Sequence, residues 1–244
     1  RHGVQGHREE NDHSVLLHFA VAHEGGLLQH RPGAARDVGQ GAGAPRQGGG
    51  RITAGFIESE METFMQDWIK NPANHARRQI AVMCLRELAV NTPSLFFVHI
   101  DKFFEVIWES MCDPKLTVRR SSSEALEKCL LLISQRLQQS YKAIDLYEKA
   151  LAAFSDKSSS SDMIHGALLV LDNMLQHAGK FMESRFQEAY QAVKKVRDSR
   201  DRLDRLSRPA LLALLPHLAK FCERDVVEDC VGHLIKALQK NTED

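Results

Sequence analysis

The sequence predicts an all-α fold assembled from paired helices in tandem, and three observations predict it. From Arg51 onward apolar residues recur at three- and four-residue steps, the period of one helix face. No stretch alternates apolar and polar residues as a half-buried strand would. Prolines and short polar clusters then punctuate the chain at helix-length intervals. The 244 residues are 43% hydrophobic, enough for a sizeable core, while aromatics at 7% are few for a sandwich or barrel.

Residues 1–50 stand apart from this pattern. They hold 11 of the 15 Gly and six of the 12 His, a single aromatic (Phe19), and no Lys, Ile, Met, Tyr, Trp or Cys. Such a stretch cannot bury enough apolar surface to offset its ordering entropy. It is expected to be a disordered or mistranslated segment, with a short helix around Ser14–His23 its one ordered piece. Arg1-His2 in place of an initiator Met reads as the start of a fragment without a signal peptide.

The helices follow in order over residues 51–244. Phe56-Ile57, Met61, Phe64-Met65 and Trp68-Ile69 form the first apolar stripe, ended by Asn71-Pro72. A second helix is expected from about Asn74 to Val90, with Ile80, Met83-Cys84 and Leu88 inward. Thr92-Pro93-Ser94 stops and restarts the chain, and Phe96-Phe97, Ile100, Phe103-Phe104, Ile107-Trp108 and Met111 continue as one stripe. After the Asp113-Pro114 break, Leu116–Leu137 is one long amphipathic helix, followed by Tyr141–Phe154 and a Ser158–Ser161 loop. Met163–Gln176 ends at Gly179, the residue suited to a helix stop. Phe181–Arg200, Ser207–Phe221 and Asp225–Gln239 complete the chain. Trp68, Phe97, Phe104, Leu126, Leu169 and Leu215 are the expected core.

The helices repeat as pairs. Asn71-Pro72-Ala73-Asn74-His75-Ala76-Arg77-Arg78 and Asp113-Pro114-Lys115-Leu116-Thr117-Val118-Arg119-Arg120 lie 42 residues apart. Each opens a second helix, with Asn71 or Asp113 able to cap and Pro allowed in the first turn. A further copy starts near Asp162-Met163-Ile164-His165 and a weaker one near Arg205. A helix–turn–helix period in the low forties marks an α-solenoid of HEAT-type helical hairpins, here about four helix pairs over 51–244. Such arrays present long surfaces to other proteins. Arg77 and Arg119, equivalent in the repeat, are expected to ladder with acids of neighbouring pairs.

Charge and motifs exclude several functions. Lys plus Arg and Asp plus Glu are 32 each, so no net positive field marks nucleic-acid binding or a polybasic membrane anchor. No apolar run reaches the roughly 20 residues of a membrane span. Cys84, Cys112, Cys129, Cys222 and Cys230 lack a CxxC and read as reduced, buried thiols. The cluster Gly39, Gly41, Gly43 and Gly48–Gly50 has no GK[ST] and follows no strand, so it makes no phosphate loop. HRD, DFG and VAIK motifs are absent. His165, His177, His217 and His233 are too scattered to propose a metal site. Lys194, Lys195, Arg197, Arg200, Arg202, Arg205 and Arg208 interleave with Asp198, Asp201 and Asp204, the pattern of a solvated helix end. Arg119-Arg120-Ser121-Ser122 matches a basophilic-kinase acceptor, but the small residues Ser121–Ser123 suit close helix packing better. No catalytic, cofactor-binding or metal-ligating residue is expected.

Four runs carry a closer resemblance. Arg77-Arg78-Gln79-Ile80-Ala81-Val82-Met83-Cys84-Leu85-Arg86-Glu87-Leu88-Ala89 with Thr92-Pro93-Ser94-Leu95-Phe96-Phe97, and Phe103-Phe104 leading to Asp113-Pro114-Lys115, are two. Ile164-His165-Gly166-Ala167-Leu168-Leu169-Val170-Leu171 and Leu214-Leu215-Pro216-His217-Leu218-Ala219-Lys220-Phe221 are the others, in the same order. Together they resemble the N-terminal HEAT-repeat region of the target of rapamycin (TOR) serine/threonine protein kinases. That resemblance implies a cytoplasmic scaffold segment of TOR signalling that docks accessory subunits such as raptor and contributes to the TOR dimer. It implies peripheral association with endomembranes through partners, and ATP and Mg2+ used by a kinase domain outside these residues. The other reading of the array is a HEAT-repeat adaptor unrelated to TOR, such as a transport receptor or phosphatase scaffold. Over residues 1–50, codons can be chosen so that a one-base shift from Asp37 to Gly50 yields a helical run resembling the TOR stretch before Thr53–Met61. The coding DNA separates that reading from a disordered arm.

Overall fold

The computed structural model describes residues 48–135, 143–198, 203–221 and 224–241. The readings for residues 1–47, the disordered or mistranslated arm and its Ser14–His23 helix, lie outside the described residues. The chain divides between Gly49 and Gly50, and the unit from Gly50 onward is an all-α solenoid with no strand among the described residues.

Four pairs and one further helix follow in order. Helix α1 (Gly48–Thr63) runs into a π-helical segment (Phe64–Ile69) and pairs with α2 (His75–Asn91). After the short α3 (Pro93–Val98) come α4 (Ile100–Met111) and α5 (Leu116–Ser134), then α6 (Ile144–Ser155) and α7 (Ser161–His177). The short α8 (Lys180–Glu183) leads to α9 (Phe186–Asp198) and α10 (Ser207–Ala219), and α11 (Arg224–Asn241) follows. The second helices α2, α5, α7 and α10 stack directly on one another, with the first helices packed alongside.

The turn inside each pair has one chemical design. Asn71 Oδ1 accepts from the Ala73 amide at 3.0 Å, Asp113 Oδ1 from Lys115 at 2.7 Å and Asp156 Oδ1 from Ser158 at 2.8 Å. Asp204 Oδ1 accepts from Leu206 at 3.0 Å and Ser207 at 2.7 Å. Each side chain imitates a backbone turn two residues long, which reverses the chain without glycine. Asn71 and Asp113 therefore shape turns and do not cap helices. The cap of α2 is Asn74, accepting from the Arg77 amide, and that of α7 is Ser160, accepting from Met163.

Four expected features take a different form. The stripe from Phe96 to Met111 is two helices, because the chain turns at His99, whose amide bonds back to Phe96 O at 2.9 Å. That turn buries Phe96 and Phe103 together, rings edge to face at 5.7 Å. Likewise Phe181–Arg200 is broken at Ser184-Arg185, where the Arg185 guanidinium lies over the Phe181 ring at 4.2 Å. On α2 the inward face is Ala81, Val82, Cys84, Leu85, Leu88 and Ala89, while Ile80 is half-buried and Met83 is exposed. Of the expected core, Phe104, Leu126 and Leu215 are buried; Trp68, Phe97 and Leu169 are half-buried. Trp68 ends its helix at an edge, flanked by Phe64 and by the Arg77 guanidinium at 5.6 Å. Gly179 does end α7, with φ at +50°, a conformation most side chains avoid.

Candidate functional site

The chemistry-bearing residues converge on the seams between stacked second helices. At the first seam Asp113, its side chain fully buried, accepts from Arg78 Nη1 at 2.7 Å and faces His75 Nδ1 at 3.0 Å. Burial pushes its carboxyl up, but hydrogen bonds from His75, the Lys115 amide and Arg78 outweigh that and hold it below the usual range. Further along the same seam Gln79 reaches Ser121, and Arg86 pairs with Glu124.

The second seam turns on Arg119, a fully buried guanidinium. Its Nη1 donates to Asp162 Oδ1 and to the Asp113 carbonyl, both at 2.6 Å, and its Nε donates to His165 Nδ1 at 3.0 Å. Because Nδ1 accepts, the imidazole must be neutral there. Burial, then the Arg119 charge, lowers the His165 pKa to about 4. Beyond them Asn173 Nδ2 donates to Ser123 Oγ at 2.7 Å. At the third seam His217 Nδ1 meets Asp172 Oδ1 at 2.6 Å.

Gly166 explains why α7 can lie so close to its neighbour. A Cβ built on it would sit 2.1 Å from the Met111 carbonyl oxygen, inside any real contact distance. The backbone of α7 thus packs against the C-terminal end of α4, next to Arg119 and His165.

First helices are joined by their own bonds. Lys102 Nζ donates to Glu62 at 3.0 Å and Lys149 Nζ to the Glu105 carbonyl at 3.5 Å. Tyr147 donates to Glu188 at 3.1 Å and Tyr190, 43 residues on, to Asp229 at 2.7 Å. Arg197 also binds Asp229 at 2.6 Å; the Arg197 guanidinium holds that carboxyl below the usual range, and burial with the Asp229 bond pushes Tyr190 up to about 12.

The expected candidates distribute as follows. Arg119 does ladder with an acid of the next pair; in the first pair Arg78 reaches Asp113, and Arg77 lies over the Trp68 ring. His177 and His233 are half-buried. Ser122 is buried, its hydroxyl donating to the Val118 carbonyl. Cys84, Cys129 and Cys230 are buried and Cys112 half-buried, all as free thiols; burial pushes Cys84 up to about 11 and Cys112 up to about 12. Cys222, Arg200, Arg202, Asp201, Gly39, Gly41 and Gly43 lie outside the described residues. Gly48–Gly50 open α1. Among the described residues no three His, Cys, Asp or Glu side chains come together to hold a metal ion. No described helix is long and apolar enough to cross a membrane. The arrangement joins helices; its polar groups are oriented toward one another.

No protein-family model matches the chain. It is 33% identical over 198 residues, 78% of its length, to a serine/threonine-protein kinase TOR of Arabidopsis thaliana. The chain is a TOR-type segment. The TOR kinase of Oryza sativa subsp. japonica is 32% identical over 200 residues, and TOR2 of Saccharomyces cerevisiae 27% identical over 183 residues, 71% of the chain. The segment spans about 8% of the length of the two plant relatives. The turn carboxylates of this TOR-type segment escaped the sequence reading at Asp156 and Asp204, although spacings of 42, 43 and 48 residues along Asn71, Asp113, Asp156 and Asp204 carry the signal.

Proposed function

We propose that the segment is a protein-interaction scaffold within a TOR-type serine/threonine kinase, docking accessory subunits such as raptor and supporting the TOR dimer. The observation that carries this reading is the continuous stack of helix pairs, whose buried polar groups bond helix to helix and leave two long edges and an outer face for partners. The phosphoryl transfer named for the relatives belongs, on this reading, to a kinase domain outside these residues, where ATP and Mg2+ act. The cytoplasm and, through partners, endomembrane surfaces are its proposed location. Purified chain incubated with ATP, Mg2+ and a generic substrate is expected to transfer no phosphate. Pull-down with a raptor-like subunit is expected to give weak, saturable capture. Phosphoryl transfer by the chain alone, or no capture of any TOR-complex subunit, overturns the scaffold reading.

A further inference from the structure

The second helices begin at one common edge. Bonds between them join corresponding turns, Gln79 to Ser121, Arg119 to His165 and Asp172 to His217, so α2, α5, α7 and α10 run parallel. The turn before each carries one exposed cation: Lys70 beside Asn71, Lys115 after Asp113, Lys157 after Asp156 and Arg205 after Asp204. Lys115, Lys157 and Arg205 have no ion-pair partner among the described residues, and Lys70 donates to the neutral Gln66 at 2.6 Å. Meanwhile Asp113 and Asp204 are turned onto backbone amides. The result is a row of cations whose spacing is set by the repeat. Adjacent packed helices lie about 8–10 Å apart, so the four span roughly 30 Å. The N-terminal ends of four parallel helices add partial charge of the same sign.

An extended polypeptide in the polyproline II conformation has three residues per turn at about 3.1 Å each, so every third side chain returns to the same face about 9 Å further on, the step of this row. The exposed acids Asp67, Glu109 and Asp156 interrupt the edge. They disfavour a uniformly anionic lipid or nucleic-acid surface, but a peptide places uncharged residues opposite them. None of the exposed large apolar side chains lies in these turns, so there is nothing here to insert into a bilayer or stack on a base.

We propose that this edge docks an acidic segment of a partner protein extended as polyproline II, with carboxylates at every third residue pairing with Lys70, Lys115, Lys157 and Arg205. The proposal rests on the scaffold reading and names the chemistry of its partner. The test titrates the full chain against a labelled peptide bearing Glu at every third position, read by fluorescence anisotropy. Its comparators are a peptide of equal composition with the Glu residues clustered, phosphatidylserine vesicles and single-stranded RNA. The spaced peptide is expected to bind best, to weaken as salt rises, and to lose about tenfold or more in affinity to the Lys70→Glu, Lys115→Glu, Lys157→Glu, Arg205→Glu variant. Circular dichroism establishes that the variant is folded; if it is not, Lys115→Gln and Lys157→Gln replace it, with severalfold weakening expected. Equal binding of both peptides, undiminished binding by the folded variant, or preference for vesicles or RNA overturns the proposal. The two readings fail separately: a raptor-like subunit that still binds the variant removes this edge alone, whereas no subunit binding to the unaltered chain removes the scaffold.

Discussion

Arg119 and His165 form a pair in which each dictates the state of the other. The Nε–H of Arg119 needs an acceptor, and the imidazole provides one only while neutral. With its pKa lowered from 6.5 to about 4, His165 binds fewer protons in the folded than in the unfolded chain between those values. Stability from this residue is therefore full above about pH 6.5 and is lost as pH falls toward 4. His165→Gln, which accepts without titrating, is expected to flatten that slope by roughly 3 kcal/mol across the window, measured as urea midpoints at its two ends. His177 and His233, also lowered by burial, leave a residual slope in both proteins. Arg119→Met is expected to cost about 3 kcal/mol or more, and Arg119→Lys to restore little, because one ammonium cannot reproduce the fork to Asp162, the Asp113 carbonyl and His165. Urea unfolding of the two variants checks this. The ladder role of Arg119 was legible from its place in the repeat. Its depth was not, since nothing local distinguishes Arg119 from exposed Arg120; the difference is which face of α5 meets α7.

Helix α7 is held in position by a close backbone contact. Its Gly166 lets two backbones touch, and the opposing atom is a carbonyl that cannot swing aside. Gly166→Ala is expected to destabilise the array by about 1–3 kcal/mol despite alanine's better helix propensity, read from a thermal or urea midpoint. An increase in stability would show that α4 and α7 are free to separate. Element boundaries were legible where proline marks them, at Pro72, Pro93 and Pro114. The breaks at His99 and Ser184-Arg185 were not, because Val98-His99-Ile100 contains no proline or glycine and ring packing turns the chain there. On α2 the expected Cys84 and Leu88 do face inward, whereas Met83 does not and Ile80 is half-buried. Small residues such as Ala81 face the densest contact, while Met83, larger and more apolar, remains exposed.

Across the array, the polar groups of the first seam and those of the third share no bond partner, so perturbations at these two should remain local. Asp113→Ala at the first seam and Asp172→Ala at the third are expected to add within about 0.5 kcal/mol in a double-mutant cycle, while Asp113→Ala and Arg119→Met, which share partners, should not. Tandem helix pairs were legible from the 42-residue period, but seam chemistry joins residues 35 to 50 positions apart and emerges only once the register is known. The bonds between first helices have a mechanical consequence. Lys102–Glu62 holds α1 to α4 through two largely exposed side chains, whereas Arg78–Asp113 holds α2 to the turn that opens α5 through buried ones. Under a bending load the exposed pair stretches first, because water replaces each lost contact, and the buried pair resists. The line of α2, α5 and α7 is therefore expected to be the stiffer side, and the first half of the array to flex by opening and closing along α1, α4 and α6.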